Sequence, residues 1–129
     1  MLNTIEQGAP LTSNALQWTD VCSLDDVLAG TASAALVGDH QIALVRSRDG
    51  KSLYAVSNFD PFSKAFVIAR GIVGDRAGVP KIASPIYKQS FDLRTGECLD
   101  DPAVRLASFP VRVSGGRVYV AVAAGQRAA

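Results

Sequence analysis

Short apolar and β-branched segments, each bounded by turn residues, run through most of this chain of 129 residues. Three of them lie at residues 33–37, 41–47 and 52–56. Gly38-Asp39 and Asp49-Gly50 separate these segments, and pairs of this kind form the tight turns of β-hairpins. Because sequential antiparallel strands usually pair with one another, the pattern predicts a β-meander in this part of the chain.

The C-terminal half continues this pattern and ends in a further hairpin. Val118, Val120 and Val122 alternate with Tyr119 and Ala121, which is the two-residue period of a half-buried strand. Further strand candidates are residues 90–93, 97–99 and 107–113, with turns at Thr95-Gly96 and Gly115-Gly116. Eight or more short strands joined by glycine-rich turns predict an all-β fold, an antiparallel sandwich or small barrel. No internal repeat is evident along the chain.

The two ends of the chain differ in composition from this β-rich middle. Residues 1–15 mix Gly, Pro, Ser, Thr and Asn with few apolar side chains, which predicts a flexible N-terminal arm. The domain is expected to span residues 16–122 and to begin with a short strand, and residues 123–129 are expected to form a frayed tail. After that strand, Ser23 is typical of a helix N-cap, because its hydroxyl can accept a hydrogen bond from a free backbone N–H group. Gly30 is expected to end this turn of helix.

The charge balance and the hydropathy exclude two classes of partner. The chain has 13 basic and 12 acidic residues, a net charge of +1, and lacks the basic stripe that binds nucleic acids or anionic membranes. Its longest apolar run, from Val118 to Ala124, is far shorter than the roughly 20 residues of a membrane-spanning helix. The N-terminal segment has neither a basic nor an apolar signal region, so we expect a cytoplasmic protein.

Side chains that often carry chemistry are few and isolated, so no catalytic residue is expected. Cys22 and Cys98 are the two cysteines, and in the cytoplasm we expect partly buried free thiols. His40, the one histidine, stands beside a turn without a partner for general-base catalysis, and an exposed turn residue is predicted. Residues 71–78 are glycine-rich but match neither the P-loop nor the GxGxxG pattern. They are interpreted as a surface loop, with a partner-contact loop as the alternative.

Two segments have the pattern of a metal-binding frame but lack its ligands. They read Asn58-Phe59-Asp60-Pro61-Phe62 and Ser84-Pro85-Ile86-Tyr87-Lys88-Gln89-Ser90-Phe91. Together they resemble the Rieske pattern C-x-H … C-P-x-H-x-x-x-F, in which two Cys and two His hold a [2Fe–2S] cluster. Asn58 and Ser84 stand at the Cys positions, and Asp60 and Tyr87 stand at the His positions.

The side chains at these four positions are poor ligands for a [2Fe–2S] cluster, which needs thiolate or imidazole donors. The Ser84 hydroxyl is protonated at neutral pH, and Tyr87 can ligate iron only as a phenolate, from an ordinary pKa near 10. Of the four, only Asp60 is a common metal ligand. We therefore expect no cluster and no metal in this chain. Asn58 and Asp60 are expected instead to accept from neighbouring backbone N–H groups, and the Ser84 and Tyr87 hydroxyls to close the gap across the two tips. This hydrogen-bond network is predicted to hold the two loops together in place of a metal.

Further motifs extend this resemblance beyond the frame. They are Ser57 to Ser63, Arg70-Gly71-Ile72-Val73-Gly74-Asp75-Arg76, Ala83 to Gln89 and Cys98-Leu99-Asp100-Asp101-Pro102. With the frame, they resemble one group of Rieske-like proteins, the small subunits of assimilatory NAD(P)H-dependent nitrite reductases. The resemblance covers about residues 16–122. It implies a Rieske-like iron–sulfur-protein (ISP) fold with a two-loop subdomain like the one that binds a cluster.

In that family, the enzyme is an oxidoreductase that reduces nitrite to ammonium with electrons from NAD(P)H. FAD, an iron–sulfur cluster and sirohaem belong to the large subunit, and the small subunit is a β domain without a cluster. The resemblance thus implies an accessory, non-catalytic subunit for nitrate and nitrite assimilation, with the large subunit as its partner. A Rieske-type ferredoxin and an interaction domain of another oxidoreductase are the alternatives.

Side chains at the tips of the frame are candidates for docking the large subunit. They are Phe59, Pro61, Phe62, Ile86 and Tyr87, together with Arg76 from the stretch 71–78. Exposed apolar groups at such tips are typical of a contact surface. The alternative is that these apolar side chains pack against one another.

Overall fold

The computed structural model describes residues 16–123 and residue 126, and the predictions for residues 1–15 and for most of 123–129 lie outside them. Twelve strands follow one another in the described part of the chain. They are β1 (Leu16–Ser23), β2 (Ala32–Val37), β3 (His40–Arg46), β4 (Leu53–Ser57), β5 (Phe59–Asp60), β6 (Ala65–Phe66), β7 (Ile72–Arg76), β8 (Val79–Ala83), β9 (Ser90–Asp92), β10 (Ser108–Phe109), β11 (Val111–Ser114) and β12 (Arg117–Ala123). Single-turn 3-10 helices lie at Leu24–Asp26 and Ile68–Arg70. The predicted all-β class is confirmed.

All strand pairs are antiparallel. A central sheet has the order β10-β4-β3-β2, so the predicted meander of β2, β3 and β4 is confirmed. A second sheet, β1-β12-β11, joins the first described strand to the last one. The third sheet, β7-β8-β9, and the two-stranded β5-β6 ribbon together carry the two frame segments.

The two inner strands of the central sheet, β3 and β4, are buried on both faces over most of their length, because their alternate side chains enter two different hydrophobic clusters. One, which we call the sandwich cluster, contains Val27, Val37, Ile42, Leu44, Leu53, Ala55, Phe109, Val111, Val118 and Val120. The other, the loop-side cluster, contains Ala43, Val45, Tyr54, Val56, Ile68, Ile82, Phe91, Leu93, Cys98 and Leu106. A strand that is buried on both faces reads as a continuous apolar run, which is the pattern at residues 42–45.

The first strand is longer than the short strand predicted from the sequence. β1 runs for eight residues and pairs with β12 over nearly its whole length, with an irregularity between Asp20 and Cys22. Ser23 caps the following 3-10 helix, as predicted, in a reciprocal arrangement with the Asp26 carboxylate. The helix ends at Asp26 rather than near Gly30, so that prediction is wrong. The chain becomes extended at Val27, whose side chain is fully buried in the sandwich cluster.

Pro110 divides the strand that was predicted over residues 107–113. β10 precedes it and pairs with β4 in the central sheet, whereas β11 follows it and pairs with β12 in the second sheet. Proline has no backbone N–H to donate to a ladder, and it is typical of a break between strands. Residues 97–99, a predicted strand, contribute only isolated bridges from Glu97 and Cys98.

The prediction of a surface loop at residues 71–78 is wrong, because most of this stretch forms β7. The strand pairs with β8 from Ile72 to Arg76. Ala77 and Gly78 make the turn, with φ angles of 53° and 87°. Two consecutive positive φ angles are the geometry of a tight hairpin, and an alanine at the first position hides this signal from sequence analysis.

His40 is buried rather than exposed, so the sequence-based prediction is wrong for it. Only 7% of the residue is accessible, and its ring packs edge-on against Phe109 at a centroid distance of 5.6 Å. The turn residue predicted from Gly38-Asp39 is instead the first residue of β3, opposite Val37. The cysteines follow the prediction, since Cys98 is buried and Cys22 is half-buried, and both thiols are free. Burial, followed by the nearby Asp26 charge, raises the pKa of Cys22.

Candidate functional site

The two frame segments lie side by side as two short loops. Loop 1 is residues 60–64, which run from the last residue of β5 to the residue before β6, and loop 2 is residues 84–88, directly after β8. Three of the four positions that correspond to Rieske ligands are buried: Asp60 and Ser84 are 0% exposed and Asn58 is 5% exposed. The fourth, Tyr87, is 59% exposed.

A single hydrogen bond between buried side chains joins loop 1 to loop 2. The Ser84 hydroxyl donates to Asp60 Oδ2 at 2.6 Å. The same oxygen accepts from the Ser63 hydroxyl at 2.9 Å, and Oδ1 accepts from the backbone N–H of Phe62 at 2.9 Å. The carboxylate is shielded from solvent, and these three protein donors replace the water that would otherwise hydrogen-bond to it. The predicted contact between Asp60 and the second frame segment is confirmed.

The hydrogen bonds to Asp60 keep its carboxyl group ionised. Burial is the largest influence and by itself raises the pKa. The donors outweigh it, with the Ser84 hydroxyl first among them, followed by the Phe62 N–H and the Ser63 hydroxyl. The pKa of Asp60 is consequently lower than its ordinary value of 3.8, and the charge is present at neutral pH. A charged acceptor forms shorter and stronger hydrogen bonds than a neutral one.

Asn58 accepts from a backbone N–H group, as predicted, but the donor is eleven residues away rather than a neighbour in the chain. Its side-chain oxygen accepts from the backbone N–H of Ala69 at 2.7 Å, and its backbone oxygen accepts from that of Ile68 at 3.1 Å. Asn58 thus anchors the 3-10 helix at Ile68–Arg70, and no hydrogen bond to loop 2 is formed within the described residues. The Tyr87 hydroxyl likewise has no partner in the described part of the chain. The predicted network is reduced to Asp60, Ser63 and Ser84.

The two loops repeat the same five-residue geometry, which the sequence analysis missed. Loop 1 reads Asp60-Pro61-Phe62-Ser63-Lys64 and loop 2 reads Ser84-Pro85-Ile86-Tyr87-Lys88. In each loop the first side chain accepts from the N–H of the third residue, at 2.9 Å and 3.2 Å respectively. The first carbonyl accepts from the N–H of the fifth residue, at 2.8 Å and 3.1 Å. The sequence signal that the two loops share is a capping residue at the first position, proline at the second and lysine at the fifth.

Each loop ends with a lysine in the left-handed backbone region. The φ angle is 63° at Lys64 and 66° at Lys88. A side chain in this region costs about 1–2 kcal/mol, which glycine avoids. Among described residues other than glycine, only Ala77 shares a positive φ. Lysine therefore occupies both equivalent loop ends against the local conformational preference for glycine.

The apolar candidates for docking divide into exposed and packed side chains. Ile86 and Tyr87 of loop 2 are 43% and 59% exposed. Phe62 is half-buried and packs against the core residue Phe91 at 6.2 Å, and Pro61 is also half-buried. Phe59 packs against Phe66, whose ring is 5.1 Å away and which is itself 42% exposed. Sequence analysis missed Phe66, because only the pairing of β5 with β6 in the folded chain places it opposite Phe59.

Two further residues border the loops. Ile72 pairs with Ala83, the residue directly before loop 2, and is 64% exposed. Arg76, a predicted docking residue, makes an ion pair with Asp100 at 3.2 Å, and about half of its side chain remains exposed. The other Asp100 oxygen accepts from the N–H of Ser90 at 2.8 Å. These contacts attach the β7-β8 hairpin to the 98–102 motif beside the loops.

The residues present do not fit a [2Fe–2S] cluster. Asp60 and Ser84 are hydrogen-bonded to each other, and the Asn58 oxygen is bonded to the backbone, so these three side chains already use one another and the chain itself as partners. Neither a hydroxyl nor an amide supplies the soft donor that such a cluster needs. In the part of the chain that the structure describes, no three His, Cys, Asp or Glu side chains converge as a metal site.

Comparison with known proteins gives a family match over most of the chain. The family model described as a Rieske-like [2Fe-2S] domain matches residues 17–121. The nitrite reductase (NADH) small subunit of Escherichia coli (strain K12) is 38% identical over 104 residues, which cover 81% of this chain and 96% of that protein. The nitrite reductase [NAD(P)H] large subunit of Klebsiella oxytoca is 38% identical over 114 residues, which are 88% of this chain and 12% of that protein.

The fold agrees with this match. A crystal structure of a candidate NADH-dependent nitrite reductase small subunit from Mycobacterium tuberculosis superposes with a TM-score of 0.80 and 48% identity. The superposition covers 84% of this chain and 97% of that one. In the described residues there is no helix of the length and apolarity that crossing a membrane requires.

Proposed function

The chain belongs to the Rieske-like [2Fe-2S] domain family and, within it, to the small subunits of NAD(P)H-dependent nitrite reductases, and we propose that it serves as the accessory subunit of such an enzyme in the cytoplasm. The enzyme reduces nitrite to ammonium with electrons from NAD(P)H, and its FAD, iron–sulfur cluster and sirohaem reside on the large subunit. The observation that carries the proposal is the 38% identity over nearly the full length of a nitrite reductase small subunit.

The relation to the Klebsiella protein supports the large subunit as the partner. There, a segment similar to this chain is 12% of a single nitrite reductase large subunit. A domain that occurs both as a separate subunit and within the larger polypeptide is expected to contact the rest of the enzyme in both arrangements. The role proposed for this chain is association, and its own residues carry no catalytic step.

We further propose that this chain binds no [2Fe–2S] cluster. The side chains at the ligand positions support this, because the Ser84 hydroxyl and the Asp60 carboxylate are hydrogen-bonded to each other across loops 1 and 2. The test is the absorbance spectrum, with iron and sulfide analysis, of the anaerobically purified chain. We expect neither iron nor sulfide; stoichiometric amounts of both would instead favour the Rieske-type ferredoxin.

The docking surface is proposed to be the apolar tip formed by Phe66, Ile86 and Tyr87. These are three of the large apolar side chains that remain exposed in the described chain, and all lie in or beside loops 1 and 2. Aromatic residues with large exposed rings are typical energetic centres of interfaces. Phe59 packs against Phe66 of this tip, and Phe62 packs against the core residue Phe91.

Co-purification with the large subunit from the same organism tests this proposal. The Tyr87→Asp and Ile86→Asp variants should each weaken the complex by about thirtyfold, the effect of losing a strong interface residue. Leu36→Asp is the matched control, because Leu36 is 68% exposed on β2 in the central sheet. Equal affinity of all three variants would refute this docking surface, and failure of the wild-type chain to bind would refute the proposed function.

A further inference from the structure

We infer that the surface of the large subunit that receives loops 1 and 2 is acidic, with carboxylates placed opposite Lys64 and Lys88. The inference rests on the proposed function, since it specifies the chemistry of the partner surface. The charges at the two loops are unbalanced. Residues 61–74 and 84–91 contain Lys64, Arg70 and Lys88, and no Asp or Glu.

These three cations are exposed and have no carboxylate partner in the described part of the chain. The ion pairs of that part use the guanidinium groups of Arg76, Arg94 and Arg117 instead. Lys88 Nζ donates only to the backbone oxygen of Pro85, at 2.9 Å. The adjacent Asp60 carboxylate is fully buried and directed into the two loops, so it presents no negative surface to a partner.

The backbone at both lysines points to a role for their side chains. Each occupies a left-handed conformation, with φ of 63° and 66°, in which glycine avoids the steric cost of a Cβ atom. Outliers of this kind cluster at functional sites. The bonds that the two loops share are made by the first, third and fifth residues through the Asp60 and Ser84 side chains and the backbone. Lys88 Nζ adds one exposed bond, to the Pro85 oxygen, and the Lys64 ammonium group makes no bond to the described part of loop 1.

The repeated loop geometry places the two lysines at equivalent ends of two loops joined by the Asp60–Ser84 hydrogen bond. The exposed apolar side chains Ile86 and Tyr87 belong to the same surface. An apolar centre with a polar, solvent-accessible rim is the usual anatomy of a protein interface, and exposed lysines beside Ile86 and Tyr87 suit such a rim. Rim charges of one sign act mainly on the association rate, because they steer a partner of the opposite sign.

The test compares association rates of the full-length chain with the large subunit across ionic strengths. The double variant Lys64→Gly/Lys88→Gly should associate about tenfold more slowly at low salt, and the difference should close at high salt as the charges are screened. The same variant should unfold at the wild-type temperature or above it, because glycine relieves both positive φ angles. Weaker association together with undiminished stability separates a docking role from a structural one.

Two control variants distinguish the effect of relieving a positive φ angle from the effect of removing a charge. Ala77→Gly relieves the third positive φ angle without removing a charge and should leave association unchanged. Lys51→Gln removes one exposed charge from the β3-β4 turn and should leave the rate within about twofold of the wild type. A wild-type rate and salt dependence for the double lysine variant, or an equal effect of Lys51→Gln, would overturn the acidic partner surface while the complex itself persists. Absence of any wild-type complex would instead remove the proposed function.

Discussion

At the scale of the residue, an aspartate and a serine occupy two positions that correspond to Rieske cluster ligands, and their side chains are hydrogen-bonded to each other. The Ser84 hydroxyl donates to the Asp60 carboxylate at 2.6 Å, and both residues are fully buried. A buried charge is tolerated only when donors replace its lost water. Asp60 has such donors from Phe62, Ser63 and Ser84, and it therefore works as a polar cross-link between two loops.

Replacing this cross-link should destabilise the protein. Asp60→Asn keeps the shape but exchanges one carboxylate oxygen for an NH₂ group, which in either orientation faces a donor: the Phe62 N–H at the Oδ1 position, or the Ser63 and Ser84 hydroxyls at the Oδ2 position. We expect a loss of about 1–3 kcal/mol in the free energy of unfolding, measured by denaturant titration. Asp39→Asn, at an exposed turn, is the control and should change stability by less than about 0.5 kcal/mol. Equal effects of both variants would contradict the role given to Asp60.

The same carboxylate predicts a pH dependence of stability. Because the pKa of Asp60 is lower in the folded protein than its ordinary 3.8, the unfolded chain binds more protons between the two values. Its stabilising contribution is then complete above the unfolded pKa and is lost as the pH falls through the folded one. The stability difference between wild type and Asp60→Asn should be constant above about pH 5 and should shrink in more acidic solution. A difference that grows on acidification would show the opposite sign of the shift.

At the scale of the element, the turns at Gly96 and Gly78 differ in how closely another backbone segment approaches the glycine. Gly96 has φ of 86°, and a Cβ atom added there would lie 2.0 Å from the backbone oxygen of Leu106. The Gly96 oxygen also accepts from the Leu106 N–H at 2.7 Å, which draws the two backbones together. Gly78, in the β7-β8 turn, has the same sign of φ, at 87°, but a Cβ atom added to it would meet nothing within 4 Å. The two glycines therefore differ in crowding and not in conformation.

This difference gives a paired prediction. Gly78→Ala introduces only the cost of a left-handed side chain, about 1–2 kcal/mol. Gly96→Ala adds a clash with a backbone atom that cannot rotate away, and we expect a loss of about 3 kcal/mol or more. Thermal and chemical unfolding of the two variants measures the two losses. Indistinguishable stabilities would mean that the 92–106 segment can move away from residue 96 at little cost.

At the scale of the whole molecule, the central sheet connects the two hydrophobic clusters. Ile42 and Leu44 enter the sandwich cluster, whereas their neighbours Ala43 and Val45 enter the loop-side cluster. The loop side of the molecule, which carries the proposed docking surface, therefore packs on the same two strands, β3 and β4, that pack against β1 and β12 through the sandwich cluster. Shared strands of this kind favour one cooperative transition rather than separate unfolding of the two-loop part.

The prediction at this scale is a single unfolding transition for both clusters. Ile42→Ala and Ile82→Ala each truncate a fully buried side chain, one in each cluster, and each should cost about 2–5 kcal/mol. The fluorescence of Trp18 on β1 and the circular dichroism of the whole chain should report the same midpoint in both variants. If Ile82→Ala instead lowered the circular dichroism midpoint and left the Trp18 transition unchanged, the loop side would be an independent unit.

Sequence patterns predicted the hairpins well and the irregular parts poorly. The β2-β3-β4 meander and the Ser23 cap depend on neighbours in the chain, and both predictions are confirmed. His40, β7 and the division at Pro110 depend on which strands meet across the fold. The burial of His40 follows from its contact with Phe109, which is distant in the sequence. The expected arm, tail and absence of a cluster stay predictions.

The β-rich class, the family and the loss of the cluster ligands could all be inferred from the amino-acid sequence, because alternation, turn residues and ligand identity are local properties. What replaces those ligands depends on the tertiary structure. In the folded protein the Ser84 hydroxyl donates to Asp60, the Asn58 side chain accepts from the Ala69 N–H, and Tyr87 is exposed. The physical reason is that hydrogen bonds and burial depend on distances between loops remote in the sequence, which the packing of three sheets sets and no local pattern specifies.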